Sequence, residues 1–569
     1  MNRFLLAALT STALLVPATS AFAAPGDLDT SFSGDGRELV DLGGEDHGAT
    51  AVTQPDGKIV FAATTGASPQ GDFVVGRRNR DGSPDKTFSD DGQIRFGFNK
   101  TDTPTNDRAM SVALGPDGSI VVAGFTDANA GTGAGNDTAV ARVTSSGALD
   151  STFNGTGKAT VDFGQGDVGT DVAVRPDGSV VVGEIAHIGS DDDFGVAQLT
   201  PGGKPDTSWS GDGRASAHFG ANEILRAIAL TPDGGVVAVG RFQNVSTSFD
   251  TAVARFRSDG NIDDTGFAGR GKLIVSFGGK DFANDVAVQP DGKLVLPVVD
   301  VTQSDTKTMV ARLTSTGGRD SDFGEDGVTA VPAVDSALAS VALTPSNRIV
   351  AAGQVGSGSQ CDFLLVELNP DGELDRAFAA GAGHARYDVG SLEFAQSVAI
   401  SGQRAVISGF SGTANVPLVA VEIDEPQPPQ PQGQTEPEPQ PAPAADSPPA
   451  EAPQALPSSP LTGPADALAP VLSKLKLKTT RGTEKATYRL SEQATVKVTV
   501  QRKVKRGTRT RLVAARKVTL KGKPGGNAFK LKNLKPGSYR VTLKATDGAG
   551  NRSKALRASF VLKARSGAR

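Results

Sequence analysis

The stretch Asp171-Val172-Ala173-Val174-Arg175-Pro176-Asp177-Gly178-Ser179-Val180-Val181-Val182-Gly183 decides the fold of the larger part of this chain. Two short runs rich in β-branched residues flank Pro-Asp-Gly. Proline presets φ, aspartate bonds its own backbone, and glycine takes a positive φ, so the stretch reads as a β-hairpin.

The same tripeptide recurs at 55–57, 116–118, 232–234 and 290–292, with degenerate copies at Pro345-Ser346-Asn347 and Ser401-Gly402-Gln403. Seven copies at a near-fixed spacing are a repeat architecture. A third strand follows each hairpin, as in Phe73-Val74-Val75 and Ala252-Val253-Ala254-Arg255. A fourth segment lies in stretches such as Gly157 to Gly164. Four short strands per repeat of about 57 residues make one propeller blade, and seven blades fit residues 28–423. Small residues at Ala113, Ala173, Ala229, Ala287, Ala342 and Ala399 place the strand before the turn nearest the crowded axis. The seventh blade then lacks an outer strand, while Arg37-Glu38-Leu39-Val40-Asp41-Leu42 has no blade before it. The N-terminal strand is therefore expected to complete the last blade, which removes exposed strand edges.

The unit Leu149-Asp150-Ser151-Thr152-Phe153-Asn154-Gly155-Thr156-Gly157-Lys158, followed by Val172-Ala173-Val174-Arg175-Pro176-Asp177-Gly178, resembles the bacterial delta-60 repeat. The resemblance covers about 28–423. It implies a seven-bladed β-propeller in an exported protein, and it brings no catalytic residues with it.

Composition divides the chain. Residues 464–569 hold 28 Lys and Arg but only four acids, while residues 1–463 hold 30 Lys and Arg and 59 acids. Such asymmetry points to two modules with different partners. Between them, Glu425 to Pro464 is rich in Pro, Gln, Ala and Glu and reads as an extended spacer. Arg3, the apolar run Phe4 to Val16 and Ala21-Phe22-Ala23 read as a secretory leader. The expected organisation is leader 1–23, propeller 24–423, disordered Pro-rich linker 424–470 and basic β-sandwich 471–564. The fold class is all-β. Seven short strands, Leu534 to Val541 and Ala545 to Asn551 make the basic module resemble bacterial immunoglobulin-like and fibronectin-type-III-like modules, with Tyr539 as a corner tyrosine.

One Cys excludes a disulfide framework, and four scattered His argue against a His-built metal site. Cys361 reads as a small buried residue. An Asp opens every repeat, at 29, 85, 150, 206, 264, 320 and 375, and caps the turn before the following aromatic residue. A second Asp follows at Asp35, Asp91, Asp212 and Asp326; these are the candidate Ca²⁺ ligands, although such loops normally gather more carboxylates. Asp72, Asp137, Asp193, Asp250 and Asp362 precede the third strand; Arg77, Arg142 and Arg255 follow three of them five residues on, and Arg312 stands likewise after Lys307, which replaces the Asp; inter-blade salt bridges or hydrogen bonds are the expected role.

Catalytic residues are expected to be none, and cofactors none unless Ca²⁺ is bound. The densest functional signal is Lys474, Lys476 and Lys478, placed on one strand face by period two, with Arg502, Lys503, Lys505, Arg506, Arg509 and Arg511 at a hairpin tip. These nine are candidate polyanion-binding residues. Few aromatics interleave them, which argues against sequence-specific nucleic-acid reading. The sequence points to a secreted or envelope-associated, non-enzymatic binding, adhesion or scaffold protein. Its expected partner is an anionic cell-wall polymer, a polysaccharide or a protein ligand, with no membrane span. The alternative is an extracellular propeller hydrolase or lyase acting on polysaccharide.

Overall fold

The Pro-Asp-Gly turns form as their residue types require. In the computed structural model, Gly57, Gly118, Gly178, Gly234 and Gly292 have φ of 81–87°. Asp177 Oδ1 accepts the Ser179 N–H at 2.9 Å, the bond that makes aspartate favourable there. In the sixth repeat Asn347 takes the left-handed position with φ 65°. The seventh hairpin is tighter: Ser401 pairs directly with Arg404 across Gly402 and Gln403.

The structure describes residues 23–66, 70–98, 105–128, 135–164, 166–244, 248–301, 306–358, 360–390, 392–412 and 415–423. Towards the C-terminus it describes 472–480, 483–490, 494–506, 509–523, 525–531, 535–546, 553 and 556–562. The expected leader, Ala23 apart, and the expected Pro-rich linker lie outside the described residues. Contacts divide the chain into two units, Met1–Glu436 and Pro437–Arg569.

The first unit is a ring of seven antiparallel sheets. From the axis outward, the first blade has Asp46–Thr53, Ile59–Thr65, Asp72–Arg78 and Gln93–Phe96. The same order recurs in 107–161, 168–217, 222–275, 280–330 and 336–387. The seventh has Glu393–Ser401, Arg404–Ser411 and Val416–Glu422. Its outer strand is Arg37–Val40, with Arg37 opposite Val419 and Val40 opposite Val416. The expected ring closure is therefore present.

Inner strands share a further device. Pairing with the second strand slips by one residue between His47 and Ala49, Ala109 and Ser111, Gly169 and Asp171, Leu225 and Ala227, Leu338 and Ser340, and Ala395 and Ser397. In the fifth blade the strand breaks there, into Lys280–Ala283 and Ala287–Val288. A bulge bends a strand and raises its twist, which turns each inner edge around the axis.

The apolar core lies between blades. Phe73, Phe88 and Val75 pack with Val112, Val122 and Val143 between blades one and two. Val350 and Phe378 pack with Ile407 and Val421 between six and seven. Phe32, Val40 and Phe61 pack with Val406 and Leu418, which closes the ring.

The second unit has two facing sheets. One contains Leu472–Thr480, Thr483–Leu490 and Gly525–Leu531; the other has Arg509–Gly522, Ala494–Arg506, Gly537–Thr546 and Leu556–Leu562, in that order. Tyr488, Phe529 and Leu531 of the first meet Val496, Val498, Val541 and Leu543 of the second in one core. Tyr539 is buried, and its hydroxyl donates to the Lys535 carbonyl at 2.5 Å.

Deleting residues 24–40 tests the closure. It removes the outer strand of blade seven and the buried Phe32 and Val40. A single buried Phe deletion costs about 3–5 kcal/mol, so the melting temperature should fall by roughly 10 °C or more. Calorimetry showing an unchanged transition would exclude closure by this strand.

Candidate functional sites on the ring

The repeated charges are largely consumed by the fold. At the end of the ring bearing the Pro-Asp-Gly turns, Arg77 Nε pairs with Asp85 at 2.7 Å and Nη1 donates to Ser145 O in the next blade at 2.8 Å. Arg142 pairs with Asp150 and donates to Pro201 O; Arg312 pairs with Asp320 and donates to Pro370 O. The arginines thus bridge blades, but their acid partners are the Asp residues opening the following turn rather than those five residues before. Arg255 sits 3.4 Å from Asp263, which is buried and takes the opening role; Asp264 instead pairs with Arg257 on the surface. The duplicated Asp and an extra residue before Phe267 displaced the sequence reading by one. In blade three Gln198 replaces arginine, donating to Asp206 at 2.8 Å and accepting from Arg175 at 2.7 Å.

The opening carboxylates cap their turns: Asp85 Oδ1 accepts the Thr87 N–H at 2.9 Å and its hydroxyl at 2.7 Å. Burial pushes the Asp85 carboxyl up, but hydrogen bonds from Thr87, Lys58 and Arg77 outweigh it and hold the group below the usual range. The Ca²⁺ candidates act locally. Asp35, Asp91 and Asp212 each accept the N–H two residues on, at 3.0 Å, leading into the outer strand. Asp326 has φ 52°. None of the four joins a group of three metal-ligating side chains among the described residues.

Beside the turns, a cavity of about 300 Å³ between blades four and five is lined by Asp233, Arg255, Phe267 and Asp291. Its counterpart of about 210 Å³ between blades two and three is lined by Asp117, Arg142, Pro176 and Asp177. Both are seams of the repeat, and each contains an arginine already held in a bridge.

At the inner-strand bulges, Asp171 accepts from Ser111 Oγ at 2.7 Å and from Ile228 N at 2.8 Å, linking three blades. Asp285 accepts from Ser340 Oγ and Val341 N. Burial, reinforced by the Asp285 charge, pushes Asp171 up to about 7.

The opposite end carries a pattern that the sequence reading missed. Asp46, Asp107, Asp167, Glu223, Asp281 and Glu393 are all buried at the start of inner strands. Asp107 accepts the Phe98 N–H at 2.7 Å, Asp167 that of Phe163 at 2.6 Å and Asp281 that of Phe277 at 2.8 Å. Each acid pins the loop arriving from the preceding blade. The signal was an apolar residue four positions before the acid, as in Leu42 and Asp46, Phe163 and Asp167, or Phe277 and Asp281.

Two places at this end gather three ligating side chains with their oxygen or nitrogen atoms within 4.8 Å: Asp193, His218 and Glu223, and Asp362, Asp388 and Glu393. In the first, His218 Nδ1 lies 2.8 Å from Asp193 Oδ1 and 3.5 Å from Glu223 Oε2. Burial pushes the Glu223 carboxyl up to about 7. In the second, Arg386 pairs with Asp362. Cys361 beside it is buried, as expected.

Blade three also buries Glu184, which accepts from Thr138 Oγ1 at 2.6 Å. Gly124, Gly240, Gly353 and Gly409 hold the corresponding place in four other blades. Burial pushes Glu184 up to about 8.

In the basic unit, Ala494–Arg506 and Arg509–Gly522 form a hairpin with Arg506 opposite Arg509. Ala494–Arg506 pairs with Gly537–Thr546 only as far as Arg502, opposite Tyr539. Residues 503–506 and 509–512 therefore run on as a two-stranded ribbon. The side chains of Lys503, Lys505, Arg506, Arg509 and Arg511 lie outside the described residues. Arg502 is half-buried and donates to Pro536 O at 2.5 Å. In Leu472–Thr480 the register slips between Ser473 and Lys476. The side chains of Lys474, Lys476 and Lys478 lie outside the described residues.

Residues 54–88, 115–153, 175–208, 231–265 and 344–378 match the family described as "Domain of unknown function (DUF5122) beta-propeller". No curated protein matches the chain. Solved structures with similarity include the polysaccharide lyase Uly1, at 12% identity and TM-score 0.33, covering 66% of this chain and 90% of that one. A mutant of the Synechocystis apocarotenoid oxygenase has 10% identity and TM-score 0.35, covering 68% and 94%. A hypothetical protein from Leishmania major has 10% identity and TM-score 0.26, covering 52% and 91%.

Two outcomes test this electrostatic reading. Glu184 has a folded pKa near 8, above its ordinary value of 4.5. Its contribution to stability is full below about 4.5 and is lost as pH rises through 8. Glu184→Gln should therefore melt near wild type at pH 4.5 and above it at pH 8.5; a constant difference across that range would contradict the shift. Arg77→Ala removes the buried cation of Asp85 and the bridge to Ser145 O while Lys58 stays at 3.0 Å, and should cost about 2–3 kcal/mol, whereas Arg95→Ala, at the exposed Asp72 pair, should cost about 1 kcal/mol or less. Equal losses in urea titrations would contradict the assignment of Arg77 to a buried bridge.

Proposed function

We propose that this β-propeller repeat protein is an exported, non-enzymatic binding or scaffold protein, its ring a rigid platform and its basic sandwich a contact to an anionic envelope polymer. A propeller suits a binding or scaffold role because its loops and turns stand on a closed, rigid ring. The observation that carries the polymer contact is the ribbon beyond Arg502, which brings Lys503, Lys505, Arg506, Arg509 and Arg511 to one projecting hairpin end. A hairpin end this dense in Lys and Arg suits a flexible polyanion. Export is supported by the leader-like residues 1–23.

The test is co-sedimentation of the full chain with polygalacturonate-coated beads and with isolated host envelopes. Wild type should pellet at low salt and be released as screening rises. Replacing Lys503, Lys505, Arg506, Arg509 and Arg511 by Gln should weaken retention about tenfold or more. Retention that survives both high salt and these replacements would reject the electrostatic contact.

A further inference from the structure

We propose that the groove between blades three and four holds a divalent transition-metal ion of the zinc class, ligated by Asp193 Oδ1, His218 Nδ1 and Glu223 Oε2. The three side chains come from separate places in the chain: the third strand of blade three, the loop after its outer strand, and the inner strand of blade four. The fold brings their ligating atoms within 4.8 Å of one another. Metal–ligand bonds of about 2.0–2.1 Å in a tetrahedral site put ligand atoms about 3.3–3.4 Å apart. The observed separations of 2.8 and 3.5 Å bracket that spacing, so small side-chain movements suffice.

Glu223 supplies the independent observation. It is fully buried, and its Oε2 has no hydrogen-bond partner while facing His218. A buried carboxylate oxygen left in this way is costly unless a cation offsets it. Asp193 is also buried. The equivalent carboxylates of blades one and six, Asp72 and Asp362, are neutralised by Arg95 and Arg386 from the outer strand. In blade three that outer-strand position is Ser216. Lys272, the cation bonded at this groove, donates to the His218 carbonyl at 2.6 Å.

The donor set selects the metal. An imidazole nitrogen with two carboxylates suits zinc, cobalt or nickel better than calcium or magnesium, which favour all-oxygen shells. His218 is half-exposed, so a fourth position would face water and accept an exchangeable ligand. The group Asp362, Asp388 and Glu393 lacks the imidazole and has Arg386 against it, and serves as an internal control.

The experiment uses the untagged full chain, stripped with chelator and dialysed. Titration calorimetry with Zn²⁺ should show one tight equivalent, and Co²⁺ should give visible absorption bands of a low-coordinate nitrogen–oxygen site. A hundredfold excess of Ca²⁺ should not displace either ion. His218→Ala, at an exposed side chain, should weaken Zn²⁺ binding at least tenfold with an unchanged circular dichroism spectrum; Glu223→Gln should act likewise, and Asp388→Asn should leave binding unchanged. Absence of a stoichiometric site, binding unaffected by His218→Ala, displacement by Ca²⁺ or loss through Asp388→Asn would each overturn the proposal.

Discussion

The ring depends on one backbone hydrogen bond made seven times. After each buried aromatic residue of the opening turn, the chain enters the left-handed region and donates its next N–H to the neighbouring blade. Ser33, Ser89, Asn154, Ser210, Ala268, Gly324 and Ala379 have φ of 49–56°. They donate to Asp81, Ser146, Gly202, Asp259, Thr316, Asp371 and Pro25 carbonyls at 2.8–3.0 Å. Six of the seven are not glycine, so the conformation carries strain that the surrounding packing must hold. The preceding Phe32, Phe88, Phe153, Trp209, Phe267, Phe323 and Phe378 are buried, which supplies that packing. Pro25 serves as the acceptor where the ring closes. No blade has a complete core or a complete set of partners alone, and stability comes from nearest-neighbour interfaces.

That constraint sorts the charged residues. Opening aspartates, third-strand arginines and inner-strand acids recur because each ties one blade to the next, and a residue spent on such a tie is poorly placed to bind anything else. Departures from the pattern are therefore the informative positions, and blade three gathers several. It has Gln198 in place of arginine, Trp209 in place of phenylalanine, Glu184 where four blades have glycine, and Ser216 where two have arginine. Two of these leave buried carboxylates without a full cationic partner, at Glu184 and beside Asp193. The basic sandwich is a separate matter of charge density, carried by a ribbon that projects past its sheet.

Much of the architecture was legible because it is local and periodic. Pro-Asp-Gly fixes a turn within a few residues, the spacing of copies fixes the blade count, and the orphan strand at Arg37 to Val40 fixes closure. Side-chain partnerships were less legible because they cross turns and blades. Arg77 finds Asp85 across a turn and Ser145 in another blade, not the nearer Asp72. The loop-pinning acids left only a spacing signal, and the grouping of Asp193, His218 and Glu223 needs three strands at one end of the ring.

Hydrogen exchange across the closing strand tests the central claim, a ring fastened by its own N-terminus. The account predicts that amides in Arg37–Val40 whose N–H groups bond Val416–Glu422 are protected to the same degree as their partners and lose protection together with them on mild destabilisation. Exchange of Arg37–Val40 at the rate of an unstructured segment, with blade seven still protected, would contradict it.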